Sequence, residues 1–165
     1  MRSKILYLDR DGIINKHIPY VGTFNRFHLI YEIFTLSKIF QKKGYQIIVV
    51  TNQSGIERGF YSLYDFFKLT HYMINEFKKQ NIDIVVRACP HHPESNCFCR
   101  KPKSFMLNDN RSKEDIMIGD QDSDMLAAKR AGIINRWLIS NNIKSLHATK
   151  CFLSHKDLIS SLIKK

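Results

Sequence analysis

Asp9 and Asp11 are the first residues of this sequence whose types and spacing suggest chemistry. They end the apolar run 5–8 and are followed directly by Gly12, so they are expected at the carboxyl end of a buried strand. Residues two apart in an extended chain project to one side, which brings the two carboxylates together. Such a pair can bind Mg2+, with one acid attacking phosphorus and the other transferring protons. Taken alone, however, the pattern fits a solvated Asp-Gly turn equally well.

A second cluster of potential ligands lies in residues 89–99, which contain three cysteines and two histidines. Four of them could complete a tetrahedral zinc site: Cys89, His91, Cys97 and Cys99. Four protein ligands leave no open coordination position, so this Zn2+ would be structural, with His92 as a spare or supporting residue. The alternative is a loop whose cysteines are close together by chance. Zinc is favoured because the loop contains almost no apolar residues that could otherwise hold it in place.

Two cations, Arg100 and Lys101, follow this cluster directly. A loop held by zinc would fix both of them in space. The planar guanidinium of Arg100 could bind a second phosphate or a sugar oxygen, and Lys101 could place a point charge on a phosphoryl group. Without the zinc site, a solvated basic pair would be the better interpretation.

A polar stretch also follows the strand predicted at residues 45–52. Four polar side chains lie there: Thr51, Asn52, Gln53 and Ser54. Their hydroxyl and amide groups, with nearby backbone N–H groups, would suit an oxyanion or a phosphate. One such loop would prove little, but two at the ends of two strands favour a shared site. His17 and Tyr20 could reach a ligand there, or they could cap local structure.

Strands and helices are predicted to alternate along the chain. Strands are predicted at residues 5–8, 45–52, 83–88, 116–120 and 133–139. Helices are predicted at residues 31–43, 65–80, 123–131 and 154–164. The alternation predicts an α/β fold, a Rossmann-like parallel sheet with helices on both faces, in one domain spanning residues 1–165.

The composition is that of a soluble globular protein, with 44% hydrophobic and 25% charged residues. No apolar run is long enough to span a membrane, and the amino terminus does not resemble a signal peptide, so a cytoplasmic location is expected. The net charge of +11 suits an anionic ligand, but the basic residues are scattered, which argues against nucleic acid. We expect a monomer without a membrane partner. The isolated Cys151 is expected to be a small buried hydrophobic residue.

Four motifs occur in the order Asp9-x-Asp11-Gly12, Thr51-Asn52, Lys101 and Gly119-Asp120-x-x-x-Asp124. This series resembles the haloacid dehalogenase-like phosphatases over residues 5 to about 139. Within that superfamily, residues 8–15, 51–59 and 89–102 are similar to the D-glycero-D-manno-heptose 1,7-bisphosphate phosphatases. The related histidinol-phosphate phosphatases share the zinc loop, the Arg-Lys-Pro sequence and the first motif.

The resemblance implies roles for most of these residues. Asp9 would be the nucleophile that forms an aspartyl-phosphate, and Asp11 would be the acid and base. Mg2+ would be held by the carboxylates of Asp9 and Asp120 and the backbone carbonyl of Asp11. Thr51 and Lys101 would hold the phosphoryl oxygens. The substrate would be bound by His17, Tyr20, Asn52, Gln53, Ser54 and Arg100. The resemblance also implies a fold without a large cap domain but with a small zinc-binding loop.

The sequence departs from the heptose family pattern at four places. Ile13 replaces a usual threonine, which should be tolerated if it faces the core, and Gln121 replaces a frequent lysine. Residues 17–20 differ from the common Asp-His-Gly-Tyr, which bears on the sugar contacts. The zinc loop is short, with five residues between His91 and Cys97, as in the histidinol-phosphate branch.

The predicted function is therefore a Mg2+-dependent phosphomonoesterase that removes the C7 phosphate of D-glycero-D-manno-heptose 1,7-bisphosphate, a precursor of surface polysaccharide. Histidinol-phosphate hydrolysis is the alternative with the same chemistry. The positive charge also motivates a polynucleotide 3′-phosphatase, which the zinc loop disfavours. An alternative of a different class is a non-catalytic zinc module that binds nucleic acid with a steep dependence on salt.

Overall fold

A six-stranded parallel sheet forms the centre of the fold, in the order β3-β2-β1-β4-β5-β6. The computed structural model describes residues 4–109 and 112–164. The strands are β1 (Lys4–Leu8), β2 (Tyr45–Asn52), β3 (Ile84–Cys89), β4 (Ile116–Gly119), β5 (Asn135–Ile139) and β6 (Lys150–Phe152). The helices are α1 (Glu32–Lys42), α2 (Leu63–Lys78), α3 (Asp122–Arg130) and α4 (His155–Ile163). The predicted parallel α/β fold is confirmed.

Side chains of β1 alternate between the two faces of the sheet. Leu6 and Leu8 pack in one cluster of buried apolar residues, together with α1, α2 and α4. Ile5 and Tyr7 pack in a second cluster on the other face, with α3 and the short 3-10 helix Phe105–Leu107. β1 is therefore buried on both sides, as expected for a central parallel strand. Helices cover both faces, as predicted.

All nine predicted elements begin and end within two residues of the observed ones, whereas strand β6 was not predicted. Helix α2 shows the cause of one such difference, because it begins at Leu63 and not at Asp65. The Ser62 hydroxyl accepts from the Asp65 backbone N–H at 3.0 Å, and the Asp65 carboxylate accepts from the Ser62 N–H at 3.1 Å. This reciprocal cap fixes the helix start upstream of the apolar periodicity from which the boundary was predicted. The side chain of Ile13, which replaces the usual threonine, is fully buried, as expected if this replacement is tolerated.

The prediction that Cys151 is buried is wrong, and strand β6 explains why. β6 is an edge strand that pairs with β5, and Phe152 packs against the helical cluster. Because side chains alternate along a strand, Cys151 projects to the opposite face, where it is exposed. β6 has only three residues, which is too short for an apolar periodicity to identify it in the sequence. It is recognised as a strand by its pairing with β5.

Across residues 4–109 and 112–164, none of the helices has the length and apolar character needed to cross a bilayer. The expected cytoplasmic location, the monomeric state and the single-domain boundary stay predictions.

His155 links the last helix to the loop after β1. Its ring Nε2 lies 2.8 Å from the carbonyl oxygen of Ile13, to which it donates, and the side chain is buried. Burial lowers the pKa of His155, although the Ile13 carbonyl and the carboxylates of Glu32 and Asp120 oppose this shift. The folded chain therefore holds a neutral imidazole at a pH where the unfolded chain already binds a proton.

We expect this histidine to reduce stability in mild acid. As pH falls from about 7.5 through the unfolded pKa of about 6.5, the unfolded state gains a proton first, so the free energy of unfolding decreases. Urea unfolding at pH 7.5 and 5.5 measures the effect, with a limiting slope of about 1.4 kcal/mol per pH unit. His155→Gln should show a smaller decrease than the parent chain. His71→Gln, at an exposed position, is the matched control, and equal slopes in all three proteins would contradict the prediction.

Candidate active site

The carboxyl ends of β1, β2 and β4 meet where the strand order reverses. β2 and β3 lie on one side of β1, whereas β4, β5 and β6 lie on the other. In open α/β sheets, a crevice at this switch point is the usual ligand site. A cleft of about 290 Å³ lies there. It is lined by all ten residues predicted to act in catalysis or substrate binding: Asp9, Asp11, His17, Tyr20, Thr51, Asn52, Gln53, Ser54, Arg100 and Lys101.

Lys101 forms the buried charged centre of the site. Its Nζ lies 2.7 Å from an oxygen of Asp9 and 2.7 Å from an oxygen of Asp124, and it also donates to the Val50 carbonyl at 2.7 Å. Burial alone would lower the pKa of Lys101, but the carboxylates of Asp124 and Asp9 raise it above its ordinary value. The ammonium group is therefore charged, and it holds the carboxylate of the predicted nucleophile in place.

The backbone of Lys101 is held by Asn52. The Asn52 amide nitrogen donates to the Lys101 carbonyl at 3.0 Å, and its amide oxygen accepts from the Lys101 N–H at 3.0 Å. Asn52, predicted from the sequence to bind substrate, therefore also orients the loop that carries the lysine. This pairing joins the end of β2 to a residue 49 positions away.

Asp11 lies within a cage of hydrogen-bond donors. The Arg10 guanidinium donates to both of its oxygens at 2.9 Å, while also donating to the Val21 carbonyl at 3.1 Å. The side-chain amides of Asn15 and Gln53 each donate to the Asp11 carboxylate at 2.9 Å. Arg10 and Asn15 were not among the predicted site residues. The signal for Arg10 was its place between two acids, where a buried guanidinium would have to pair with one of them.

Asp120, directly after β4, supplies a third carboxylate. One of its oxygens contacts the His17 ring nitrogen at 2.9 Å and accepts from the Gln121 amide at 3.0 Å. Its other oxygen, Oδ1, is buried without a hydrogen-bond partner. Gly12 has a φ of +87°, and a Cβ there would collide with the Asp120 carboxylate. Glycine at position 12 therefore allows the loop after β1 to approach Asp120 closely.

Three carboxylates converge near the Lys101 ammonium, which contacts two of them, Asp9 and Asp124. Oxygens of Asp9, Asp120 and Asp124 lie within 4.8 Å of one another. Burial raises the pKa of Asp9 well above its ordinary value. The Lys101 ammonium opposes this shift, whereas the negative charges of Asp124 and Asp120 add to it. Burial also raises the pKa of Asp120. The unpartnered Asp120 oxygen and the hard oxygen donors fit a divalent cation such as Mg2+. Asp124 is occupied differently, since it pairs with Lys101 and accepts from the Gln121 N–H at 3.1 Å.

The four predicted zinc ligands also converge. Their ligand atoms lie within 4.8 Å of one another, in the cluster Cys89, His91, Cys97 and Cys99. The sulfur of Cys97 is 3.5 Å from that of Cys89 and 3.7 Å from that of Cys99, and the His91 nitrogen is 3.5 and 3.2 Å from Cys89 and Cys99. Tetrahedral zinc bonds imply about 3.8 Å between sulfurs and about 3.5 Å between sulfur and nitrogen. Burial would raise the pKa of Cys97, but hydrogen bonds from the Arg100 N–H and the neighbouring thiols lower this pKa to about 7. The donor set and its spacing fit Zn2+.

Glu57 connects the segment that carries the cysteine and histidine cluster to the loop after β2. The Glu57 carboxylate accepts from the His92 N–H and, at 2.8 Å, from the Ser95 hydroxyl. These bonds lower the pKa of Glu57. From the other side, the Lys103 ammonium donates to the Cys97 carbonyl at 2.6 Å. The loop that ends in Arg100 and Lys101 is therefore anchored at several points.

The mouth of the cleft is aromatic and basic. Tyr20, with φ +55°, packs its ring 4.5 Å from that of Phe60, and the Arg58 guanidinium lies 5.8 Å from the Tyr20 ring centre. Arg100 lines the cleft, with its guanidinium 3.5 Å from the His91 carbonyl. Tyr20 and Arg100 were predicted as site residues, whereas Phe60 was not, because it lies 40 positions from Tyr20 in a different loop.

Comparison with known proteins identifies the family. The chain is 41% identical over 167 aligned positions to a D-glycero-beta-D-manno-heptose-1,7-bisphosphate 7-phosphatase of Helicobacter pylori, covering 95% of this chain and 96% of that protein. It is 40% identical to a D-glycero-alpha-D-manno-heptose-1,7-bisphosphate 7-phosphatase of Campylobacter jejuni, covering 97% and 96%. The fold matches a D,D-heptose 1,7-bisphosphate phosphatase of B. bronchiseptica, solved with magnesium and phosphate, with a TM-score of 0.84, 22% identity and 98% of both chains covered. No protein-family model matches the chain. By its close relatives, the chain belongs to the D-glycero-D-manno-heptose 1,7-bisphosphate 7-phosphatase family of haloacid dehalogenase-like phosphatases.

Proposed function

We propose that this phosphatase removes the C7 phosphate of D-glycero-D-manno-heptose 1,7-bisphosphate through an aspartyl-phosphate on Asp9, with Mg2+ as cofactor. The observation that carries the proposal is the position of Asp9, a buried carboxylate 2.7 Å from Lys101 at the base of the cleft. Its second support is the activity for which the H. pylori and C. jejuni relatives are named.

Mg2+ would be held by the carboxylates of Asp9 and Asp120 and by the backbone carbonyl of Asp11. When bound, it would keep the crowded carboxylates ionised and offset the charge of the transferring phosphoryl group. Asp124 is less suited to be a ligand because its oxygens already bond to Lys101 and the Gln121 N–H. We infer that Asp124 positions Lys101.

The proposed reaction consists of two successive displacements at phosphorus. A carboxylate oxygen of Asp9 attacks phosphorus, the bond from phosphorus to the C7 oxygen breaks, and Asp11 donates a proton to that oxygen. Water then attacks phosphorus and gives its proton to Asp11, and the bond to Asp9 breaks to release phosphate. Lys101 and the Thr51 hydroxyl stabilise the phosphoryl oxygens in both steps.

The size and charge of the cleft suit a small substrate with two phosphates. Its volume of about 290 Å³ is near the lower end of the roughly 300–1,000 Å³ of small-molecule sites. Arg100 at the mouth offers a planar fork for the second phosphate or a sugar oxygen. Tyr20 and Ser54 would contact the sugar. His17 would contact it only with the ring edge that Asp120 leaves free.

Phosphate release tests the proposal. Both anomers of the heptose 1,7-bisphosphate are assayed with Mg2+, since the named relatives include both, against histidinol phosphate and a 3′-phosphorylated oligonucleotide. We expect kcat/KM to be highest for one heptose anomer, with phosphate released from C7. Preference for histidinol phosphate or for the oligonucleotide would overturn the substrate assignment. Release that persists in Asp9→Asn would overturn the assignment of the nucleophile.

We also propose that Cys89, His91, Cys97 and Cys99 bind a structural Zn2+ that holds the loop ending in Arg100 and Lys101. The four ligands leave no position for water activation, so zinc would act on catalysis only through the placement of these two cations. Glu57 and Lys103 support the loop but do not replace four bonds to a metal.

Zinc loss should therefore reduce both activity and stability. We expect about one zinc per chain in the parent protein and much less in Cys97→Ser, measured by atomic absorption. Misplacement of a catalytic group by about 1 Å can cost about 10²-fold, so kcat/KM should fall by that order. Cys151→Ser is the matched control, because this cysteine is exposed and lies outside the cluster. Full activity in demonstrably zinc-free protein would contradict the proposed role.

A further inference from the structure

Tyr61 is a buried aromatic residue beside the catalytic cleft that sequence analysis did not single out. Its hydroxyl donates to the side-chain oxygen of Gln53 at 2.5 Å. Its ring lies against Gly22 and Gly55, where any side chain would collide with it. The backbone on both sides is therefore shaped to admit this ring.

The orientation of the Gln53 amide follows from its neighbours. Its nitrogen lies 2.9 Å from a carboxylate oxygen of Asp11, which can only accept, so this end of the amide must be the donor. The same nitrogen lies 2.7 Å from the Thr51 hydroxyl oxygen. The amide oxygen is then directed to Tyr61, whose hydroxyl is the matching donor. Gln53 is buried, and both ends of its amide have partners within the protein.

We propose that Tyr61 is a positioning residue for catalysis, acting through Gln53 to orient the carboxylate of Asp11. The inference rests on the proposed acid and base role of Asp11. Asn15 donates to Oδ1 of Asp11 and Gln53 donates to Oδ2, while Arg10 donates to both oxygens. The Gln53 amide is therefore one of the groups that fix the rotation of this carboxylate. The same Gln53 nitrogen also donates to the hydroxyl of Thr51, the residue proposed to hold the phosphoryl oxygens.

The hydroxyl of Tyr61 is suited to this task. Burial raises the pKa of Tyr61 to about 12, so the group remains a proton donor across the working pH range. Removing it leaves a buried amide oxygen without its partner, and the amide can then rotate or recruit water. Phenylalanine keeps the ring that fills the space beside the two glycines, so Tyr61→Phe tests the hydroxyl alone.

The leaving group distinguishes a positioning role from a structural one. An alkoxide leaving group, such as the C7 oxygen of a sugar, needs a proton from Asp11, whereas 4-nitrophenolate leaves with little help from an acid. kcat/KM reports the step in which the phosphoryl group is transferred to Asp9. In Tyr61→Phe we expect kcat/KM to fall on the order of 10-fold for heptose bisphosphate and by less than about 3-fold for 4-nitrophenyl phosphate.

Three further proteins complete the experiment: Tyr45→Phe, Gln53→Ala and the Gln53→Ala/Tyr61→Phe double variant. Tyr45→Phe removes a hydroxyl that donates to the Glu114 carbonyl at 3.0 Å. Tyr45 lies at the amino-terminal end of β2, away from the cleft, so this variant should keep the parent kcat/KM for both substrates. In a Gln53→Ala background, Tyr61→Phe should have no additional effect on the substrate ratio, because the connection to Asp11 is already broken. Thermal unfolding is measured for each variant.

Each outcome bears on the inference. A selective loss for the sugar substrate, absent in the Gln53→Ala background, supports it. Equal losses for both substrates, or a selective loss that persists without Gln53, would overturn it. Failure of the proposed function is recognised separately, because the parent chain would then show no Asp9-dependent phosphate release, and the role of Tyr61 would be overturned with it.

Discussion

Replacement of Asp9 by asparagine should abolish phosphate release while leaving the fold intact. The amide cannot attack phosphorus, so no aspartyl-phosphate forms, and we expect kcat to fall by at least about 10⁴-fold. The substitution keeps the size of the side chain and its amide oxygen can still accept from the Lys101 ammonium, which also retains Asp124. Initial rates with heptose bisphosphate measure the loss. Asp83→Asn, at an exposed position, is the matched control.

The same variant should not be less stable than the parent chain when Mg2+ is absent. Burial and the neighbouring carboxylates raise the pKa of Asp9 despite the opposing charge of Lys101, so its ionised form is less favourable in the folded than in the unfolded state. A neutral amide removes that cost. Thermal unfolding with and without Mg2+ tests the point, since added Mg2+ should stabilise the parent more than the variant. A variant that unfolds at a much lower temperature would show that Asp9 is required for folding.

Replacement of Lys101 by methionine should reduce both stability and activity. It leaves the buried carboxylates of Asp9 and Asp124 next to each other without their cation, which costs about 3–5 kcal/mol in the free energy of unfolding. It also removes the charge that stabilises the phosphoryl oxygens, so kcat/KM should fall by roughly 10²–10³-fold. Urea unfolding and phosphate release measure the two effects.

Two further variants show whether the buried pair is the cause. Lys129→Met, at an exposed position on helix α3, should leave stability and activity near those of the parent chain. Addition of Asp124→Asn to Lys101→Met should recover part of the lost stability without restoring activity, because it removes the unpaired charge but not the need for the ammonium. Unchanged stability of the single Lys101→Met variant would contradict the buried ion pair.

Features that depend on short stretches of chain could be predicted from residue types and spacing alone. Apolar periodicity and β-branched runs defined the nine elements common to prediction and structure, because burial on one or both faces repeats with the local backbone period. The pair Asp9 and Asp11 and the cluster within residues 89–99 were recognisable because their members are close along the chain. Residues at the ends of parallel strands were expected to share one edge, which is why the predicted site residues line one cleft.

The bonds between side chains that are distant along the chain could not be predicted in this way. Lys101 bonds to Asp9, 92 positions away, and Tyr61 reaches Gln53, which in turn bonds to Asp11 across 42 positions. Such partners depend on the path of the chain and on the direction of each side chain, and no local period contains that information. The exposure of Cys151 had the same cause, since pairing of β6 with β5 determined the face to which this cysteine projects. The chemistry of the site could therefore be predicted from residue types. The orientation of its side chains could not, because it depends on contacts that form only when the sheet is assembled.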